Sequence, residues 1–338
     1  MVTRDEVARE AGTSSAVVSY VINNGPRNVS ESARERVLAA VAKLDYRPNG
    51  VARSLRSSSS NVIGLIVPDI TNSYCGELAL AVENSALARN LTLLVGNAMH
   101  DDERQARHLT TFIEQQVLGI VFIGSTYGDE AFLPATSRAL RGSRIPLIFL
   151  DRSTSEFGAT AIVVDNRGGA MAATSHLLEH GHSAIASFAG SSGLSAVRER
   201  TDGWTDALRA KGIDARAQQQ YESAFDRYEA FEVARAMFAS ENRPRAIFSH
   251  SDEQSIGILY AAAQAGLRVP EDLALVSFDG IKEAGIVSPG LTTVQQPIAR
   301  AGALAVDQLL NASRGIMPVE AGDPLPVELI VRHSCGCP

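Results

Sequence analysis

Residues 5–24 read DEVAREAGTSSAVVSYVINN, two short helical patterns that meet at a glycine. Val7, Ala8 and Ala11 share one face of the first helix, Gly12 supplies a turn conformation that a Cβ would resist, and Ser14 stands where the N-cap of a second helix belongs. Val18, Val21 and Ile22 fall at i, i+3 and i+4 and are expected to pack inward, which turns Ser15, Ala16, Ser19, Tyr20 and Asn23 outward. A polar, short-chained outer face on the second helix of a helix-turn-helix suits a major groove, where the N-terminal part of that helix meets base edges. Ser15, Ala16 and Tyr20 are the expected readers. An ordinary αα-hairpin with a solvated face fits the same twenty residues, which leave both readings open.

The 338 residues, 45% of them hydrophobic, are enough for about two or three domains. A net charge of -7 is unusual for a nucleic-acid binder until it is divided along the chain. Residues 1–60 hold 9 Lys+Arg against 6 Asp+Glu, and the remainder holds 22 against 32, so a small basic head precedes an acidic body. No apolar run approaches the ~18 residues of a membrane span, and the first residues are charged and helix-forming, unlike a signal peptide. A cytoplasmic, nucleoid-associated protein is expected. Cys75, Cys335 and Cys337 form neither a CxxC nor a disulfide framework.

Downstream of the first two helices, Ser30 and Glu31 offer an N-cap and an acidic first turn for a third, with Val37, Leu38, Val41 and Leu44 as its buried stripe. Residues 49–55 are helical in pattern but too short to hold together alone, and a serine run to Ser60 completes a linker. From Asn61 buried strands alternate with amphipathic helices, predicting doubly wound parallel sheets. The expected strands are 62–67, 91–95, 120–123, 146–150, 162–164, 184–188, 246–249 and 273–278. The expected helices lie near 78–89, 104–116, 131–140, 171–179, 203–210, 230–238 and 256–265. Two such sets imply two lobes and a cleft. Ligands bind outside the carboxyl ends of strands in open α/β sheets, which singles out Asp69, Asp151 with Arg152, Asp165 with Asn166, Ser251 with Asp252, and Asp279. Helix capping is the competing role for each acid.

No GxGxxG follows a strand, and neither GxxxxGK[ST] nor GxSxG occurs, so no enzyme is expected. His176-Leu177-Leu178-Glu179-His180 has the H-x-x-E-H spacing of a metal pair, but no third ligand is evident. A helix that packs through Leu177 and Leu178 and ends at Gly181, with His180 in its last turn beside the helix dipole, is the plainer account. Cys335-Gly336-Cys337 likewise lacks a partner cluster, and neither metal nor cofactor is expected.

Taken together, VAREAG (7–12), ESARERVLAAV (31–41), YRPN (46–49), VARSLR (51–56), IGLIVPDITN (63–72), LDR (150–152), HLLEHGH (176–182), GLRVPEDLALVSFD (266–279) and LTTVQQP (291–297) resemble the lac-repressor-type (LacI/GalR) family of bacterial transcriptional regulators. The resemblance covers nearly the whole chain. It implies a small all-α helix-turn-helix head (1–48), a hinge helix and linker (49–60), and a two-lobed α/β body like a periplasmic binding protein (61–338). The lobes would be about 61–163 with 293–324, and 164–292 with 325–338.

The family implies a homodimer, or a higher assembly, whose heads sit on a pseudo-palindromic double-stranded DNA operator. Ser14, Ser15, Ala16, Ser19, Tyr20 and Asn23 would then face DNA. Ala52 and Leu55 of the hinge would meet the minor groove, Leu55 as a wedge. In the cleft, Arg200 of the R-x-x-G-W run at 200–204 matches the family's effector-gripping arginine. Asp279 matches the acidic ligand, Arg152 a pocket residue, and Tyr74 and Phe225 the apolar walls. The chain departs from the pattern at Ser251, where Asn is usual, at Cys75, where a second aromatic is common, and at Tyr20, where the recognition helix usually has Arg. One aromatic wall fewer weakens the case for a flat purine and favours a sugar as effector. A solute-binding protein of a transport system shares such a body and is the competing class.

Overall fold

The computed structural model describes residues 2–22, 28–46, 60–123, 134–150, 160–316 and 323–337. The expectations for Asn23, Ala52, Leu55, Asp151 and Arg152 lie outside these. The chain separates into two compact units, Met1–Ser60 and Asn61–Pro338.

The first unit holds α1 (Arg4–Glu10), α2 (Ser15–Ile22) and α3 (Glu31–Lys43). Thr3 opens α1 in a reciprocal capping box with Glu6. Gly12 turns the chain at φ +63, and Ser14 Oγ accepts a 3.4 Å hydrogen bond from Val17 N–H at the start of α2. Val7, Ala8, Ala11, Val18, Val21, Val37 and Ala40 form the core. Leu38 is a correction. Its side chain is 50% exposed, because the inward row of α3 runs through 37, 40, 41 and 44, and Leu38 lies off it. Ser30 occupies the N-cap position of α3 but makes no side-chain cap bond.

In the second unit a five-stranded parallel sheet, in the order β2-β1-β3-β4-β5, comprises β1 (Val62–Val67), β2 (Thr92–Asn97), β3 (Ile120–Ile123), β4 (Leu147–Leu150) and β5 (Thr160–Ile162). Three helices accompany it, α4 (Ser73–Leu87), α5 (Asp102–Glu114) and α6 (Pro134–Leu140). The second sheet is built from β6 (Ala186–Ala189), β7 (Gln220–Glu222), β8 (Ala246–Ser249), β9 (Ala274–Asp279), β10 (Thr292–Gln295) and β11 (Glu328–Ile330). Its order is β11-β10-β9-β8-β6-β7, parallel except for the antiparallel edge strand β11. Its helices are α7 (Asn166–Glu179), α8 (Ser195–Ala210), α9 (Arg227–Phe238) and α10 (Asp252–Gln264). One more helix, α11 (Ile298–Ser313), returns to the first lobe, where Ala301, Ala305, Val306 and Leu309 join the core of Ile63 and Leu65.

The chain therefore crosses between lobes three times. Two crossings are joined where Val164 bridges Leu325, with Asp165 N–H donating to Leu325 O at 2.9 Å. The third follows β10, so Thr293–Gln295 belongs to the second sheet and the crossing comes later than residue 293. Strands β7, β10 and β11 and helix α11 are additions to the expected elements.

Close helix packing orients the second lobe. On α8, a Cβ added to Gly203 would stand 2.2 Å from the Arg167 carbonyl oxygen and 2.9 Å from Ala170 Cβ of α7. Gly203→Ala must push the two helices apart and is expected to cost about 3 kcal/mol in urea unfolding. An unfolding midpoint equal to that of the unaltered protein would show that the pair separates freely.

Candidate functional site

On the DNA-facing candidate, α2, Val18 and Val21 are buried, Ala16 is exposed, and Ser15, Ser19 and Tyr20 are half-buried. The Ser15 hydroxyl donates to the Asp5 carboxylate of α1, which ties the start of α2 to the helix before it.

A cavity of about 630 Å³ opens between the lobes of the second unit. Its walls come from segments just past strand ends in both sheets, Asp69 after β1, Ile123 at the end of β3, Phe225 after β7 and Asp279 at the end of β9. Tyr74, Cys75, Arg200, Phe225 and Asp279 all line it. Ser251 does not. Its side chain is buried and its Oγ accepts the Gln254 N–H at 3.2 Å, so it caps α10 instead of facing the cavity. Asp165 caps α7 in the same way through Gly168 N–H at 2.8 Å.

Arg200 projects from α8 with its side chain 95% buried. Its Nε donates to Asn166 Oδ1 at 2.9 Å, and Nη1 donates to the His250 carbonyl oxygen and, at 3.3 Å, to Asp279 Oδ1. The guanidinium also lies 3.8 Å over the Phe278 ring. These contacts compensate for burying a charge and leave the pair aimed along the cavity wall.

Asp279 sits at φ +114, a backbone region rarely open to an L-residue. Asp252 holds it there from beneath, accepting from Gly280 N–H (2.7 Å), Ile281 N–H (2.9 Å) and Thr293 Oγ1 (2.8 Å). Burial pushes the Asp252 carboxyl up to about 6, against these hydrogen bonds. Its role is to position the Asp279 turn.

From Asp279 a relay runs across the lobes. Gln296 Nε2 donates to Asp279 Oδ1 at 2.8 Å, and Gln296 Oε1 accepts from Tyr74 Oη at 2.9 Å. Gln296 stands on the crossing after β10, while Tyr74 belongs to the first turn of α4 in the first lobe. The same turn grips the second lobe at further points. Asn72 Nδ2 donates to Phe225 O at 2.9 Å, Ser73 N–H to Glu253 Oε1 at 3.0 Å, and Arg227 Nη2 to Ser73 Oγ at 3.2 Å. Arg227 forks onto both Glu253 oxygens at 2.6 and 2.7 Å. Burial raises the Glu253 carboxyl, but the bonds from Arg227 and Ser73 outweigh it and hold it below the ordinary range. Asn72, Ser73, Arg227, Glu253, Gln296 and His250 went unnamed as site residues in the sequence. IGLIVPDITN and LTTVQQP run up to or contain two of them, but neither segment indicates a partner more than 150 residues away.

A head with a helix-turn-helix and a body with a ligand-sized cleft between two α/β lobes define a ligand-controlled DNA-binding regulator. Residues 3–49 match the bacterial regulatory proteins of the lacI family, and residues 174–335 match the periplasmic binding protein-like domain. The HTH-type transcriptional repressor PurR of Erwinia tasmaniensis is 34% identical over 92% of this chain and 90% of its own. The ribose operon repressor of Escherichia coli K12 is 32% identical over 92% of this chain and 93% of its own. Among solved structures, the lac repressor dimer bound to operator and the anti-inducer ONPF superposes with TM-score 0.86 at 27% identity, covering 99% of each chain. A complex of the transcriptional regulator CelR with cellobiose gives 0.72 at 26%, over 99% of this chain and 100% of that one. The chain belongs to the LacI family of bacterial regulators. It is a DNA-binding transcriptional regulator answering to a small-molecule effector, in a family of repressors that are not enzymes, and the transport-protein alternative is not favoured. Among the described residues no helix is long and apolar enough to cross a membrane.

Proposed function

We propose that this chain is a homodimeric repressor whose hold on a pseudo-palindromic operator is set by a neutral sugar bound in the interlobe cavity. The relay from Tyr74 through Gln296 to Asp279 and Arg200 carries the reading, because a ligand touching it feels both lobes at once. Tyr74, Cys75 and Phe225 serve as walls, with Arg200 and Asp279 as directional polar groups and Arg152 added from the family resemblance. Among the described residues the cavity wall holds Asp69, Asp226, Glu229, Glu253, Asp279 and Glu283 against Arg200 and Arg227, each already paired with a carboxylate. Such a wall repels phosphates and carboxylates and suits hydroxyl groups, which both donate and accept. The operator-bound lac repressor dimer supports the homodimer, and the cytoplasm, at the nucleoid, is where the regulator acts. Ser14, Ser15, Ala16, Ser19, Tyr20 and Asn23 read or border the operator, and Ala52 and Leu55 of the hinge meet its minor groove.

Binding-site selection followed by gel shift is expected to yield a palindrome of about 14–20 base pairs, with affinity falling at least about 10-fold between 50 and 200 mM salt. Tyr20→Ala should change the selected sequence. In a thermal-shift panel, neutral sugars should raise the melting temperature while sugar phosphates and purines leave it alone. A salt-insensitive complex would overturn the DNA assignment, and stabilisation by purines alone would overturn the effector class.

A further inference from the structure

The fold brings together two fragments that lack partners in the sequence. His176, in the last turn of α7, and His180, its C-cap, lie one turn apart with their ring centroids 4.7 Å from each other. Cys335 and Cys337 follow β11. Between them Gly336 adopts φ +100, a conformation open to glycine, and the chain folds back on itself there. Cys337 Sγ stands 3.1 Å from His180 Nε2 and 3.6 Å from His176 Nε2. One donor atom from each of the four side chains lies within 4.8 Å of all the others.

We propose that His176, His180, Cys335 and Cys337 bind one Zn²⁺ as a closed structural site of the second lobe. Zinc bonds of about 2.3 Å to sulfur and about 2.0 Å to nitrogen, arranged tetrahedrally, require donor atoms about 3.3–3.8 Å apart. The two Cys337 distances lie close to that span, and the donor set of two thiols and two imidazoles is the one zinc prefers. Four protein ligands fill the tetrahedron, so the site has no position for a reacting water and is not catalytic.

The surroundings are built to hold this geometry. Cys335 is buried in the same core as Leu177, the residue after His176. Its Sγ accepts a hydrogen bond from Thr292 Oγ1 of β10 at 3.1 Å, which steadies a thiolate. Next to it, Ser334 is fastened to the sheet by Leu275 N–H to its carbonyl oxygen (2.8 Å), by its own Oγ to Leu275 O (2.7 Å) and by Thr292 N–H to its Oγ (2.8 Å). Metal binding releases one proton from each thiol to solvent and leaves both imidazoles neutral. The bonds formed close a loop of more than 150 residues, which stabilises the folded lobe by restricting the unfolded chain. They also anchor one end of α7, whose other end carries the Asn166 that orients Arg200.

The test uses the full chain, prepared with a phosphine reductant and no chelator. Elemental analysis should find about one zinc per chain. After chelator treatment, added Co²⁺ should give the absorption of tetrahedral cobalt together with thiolate-to-cobalt charge transfer. Cys337→Ser and His180→Ala, both at partly or fully exposed positions, should each weaken zinc binding about 100-fold or more in competition with a chromophoric chelator. A chelator should lower the melting temperature of the unaltered protein and leave that of the two variants unchanged. The proposal is overturned if folded protein takes up neither metal, or if the variants bind zinc as tightly as the original. It is overturned equally if Cys335 and Cys337 are found as a disulfide that persists under reductant.

Discussion

Arg200→Ala is expected to lower the free energy of unfolding by about 3–5 kcal/mol and to abolish the response to effector, while operator binding at the reduced stability persists. The stability loss follows from leaving Asp279 buried at 5% exposure without its cation. Asn166 Oδ1 and the His250 carbonyl lose their donor at the same time. The charge-free double variant Arg200→Met with Asp279→Asn should recover part of that loss, because it removes both charges together. It should still bind sugar far more weakly, since the guanidinium donors are gone and the amide at position 279 keeps only one of the two carboxylate acceptors. Urea unfolding and calorimetric titration of the two variants beside the unaltered protein separate the two effects. Normal sugar affinity in the double variant would remove Arg200 and Asp279 from the pocket assignment.

The second large effect is a loss of stability in acid traced to His250. The ring is fully buried, with Nε2 3.1 Å from Ser187 Oγ and Nδ1 without a hydrogen-bond partner among the described residues. Burial first, and then the nearby Arg200 charge, push its pKa down to about 3. In the unfolded chain an imidazole titrates near 6.5. Above that pH neither state binds the proton, and the contribution of His250 to stability is fully present. Below it only the unfolded chain takes up the proton, so stability falls by about 1.4 kcal/mol per pH unit, or about 3 kcal/mol between pH 6.5 and 4.5, and continues to fall towards pH 3. His250→Asn should flatten the pH dependence of stability by that amount. Equal slopes for the two proteins would mean that His250 is protonated in the fold. Because its carbonyl holds Arg200, acid should also loosen the cavity wall.

How the sequence divides the protein follows from the range over which each signal acts. The turn at Gly12, the inward rows of α1 and α2, and the limits of β1, β3 and β8 are legible because periodicity and turn chemistry involve residues a few positions apart. Asp279 is legible because a buried run ends there, and strand ends face clefts. The short strands QYE and TTVQ carry no apolar run of their own, the run in ELI is only two residues long, and pairing with neighbours makes them strands. Whether a polar side chain at a strand end faces the cavity or caps a helix is likewise settled by tertiary packing, which gives Asp279 the first role and Ser251 and Asp165 the second. The interlobe grip of Asn72, Ser73 and Gln296 depends on contacts between residues 153, 180 and 222 positions apart. Cys337 meets His180 across 157 positions, so the local rules that recognise each half of that cluster have no access to the other. Local sequence determines which elements form and which residues have suitable chemistry, while the three crossings between lobes decide which of those residues meet.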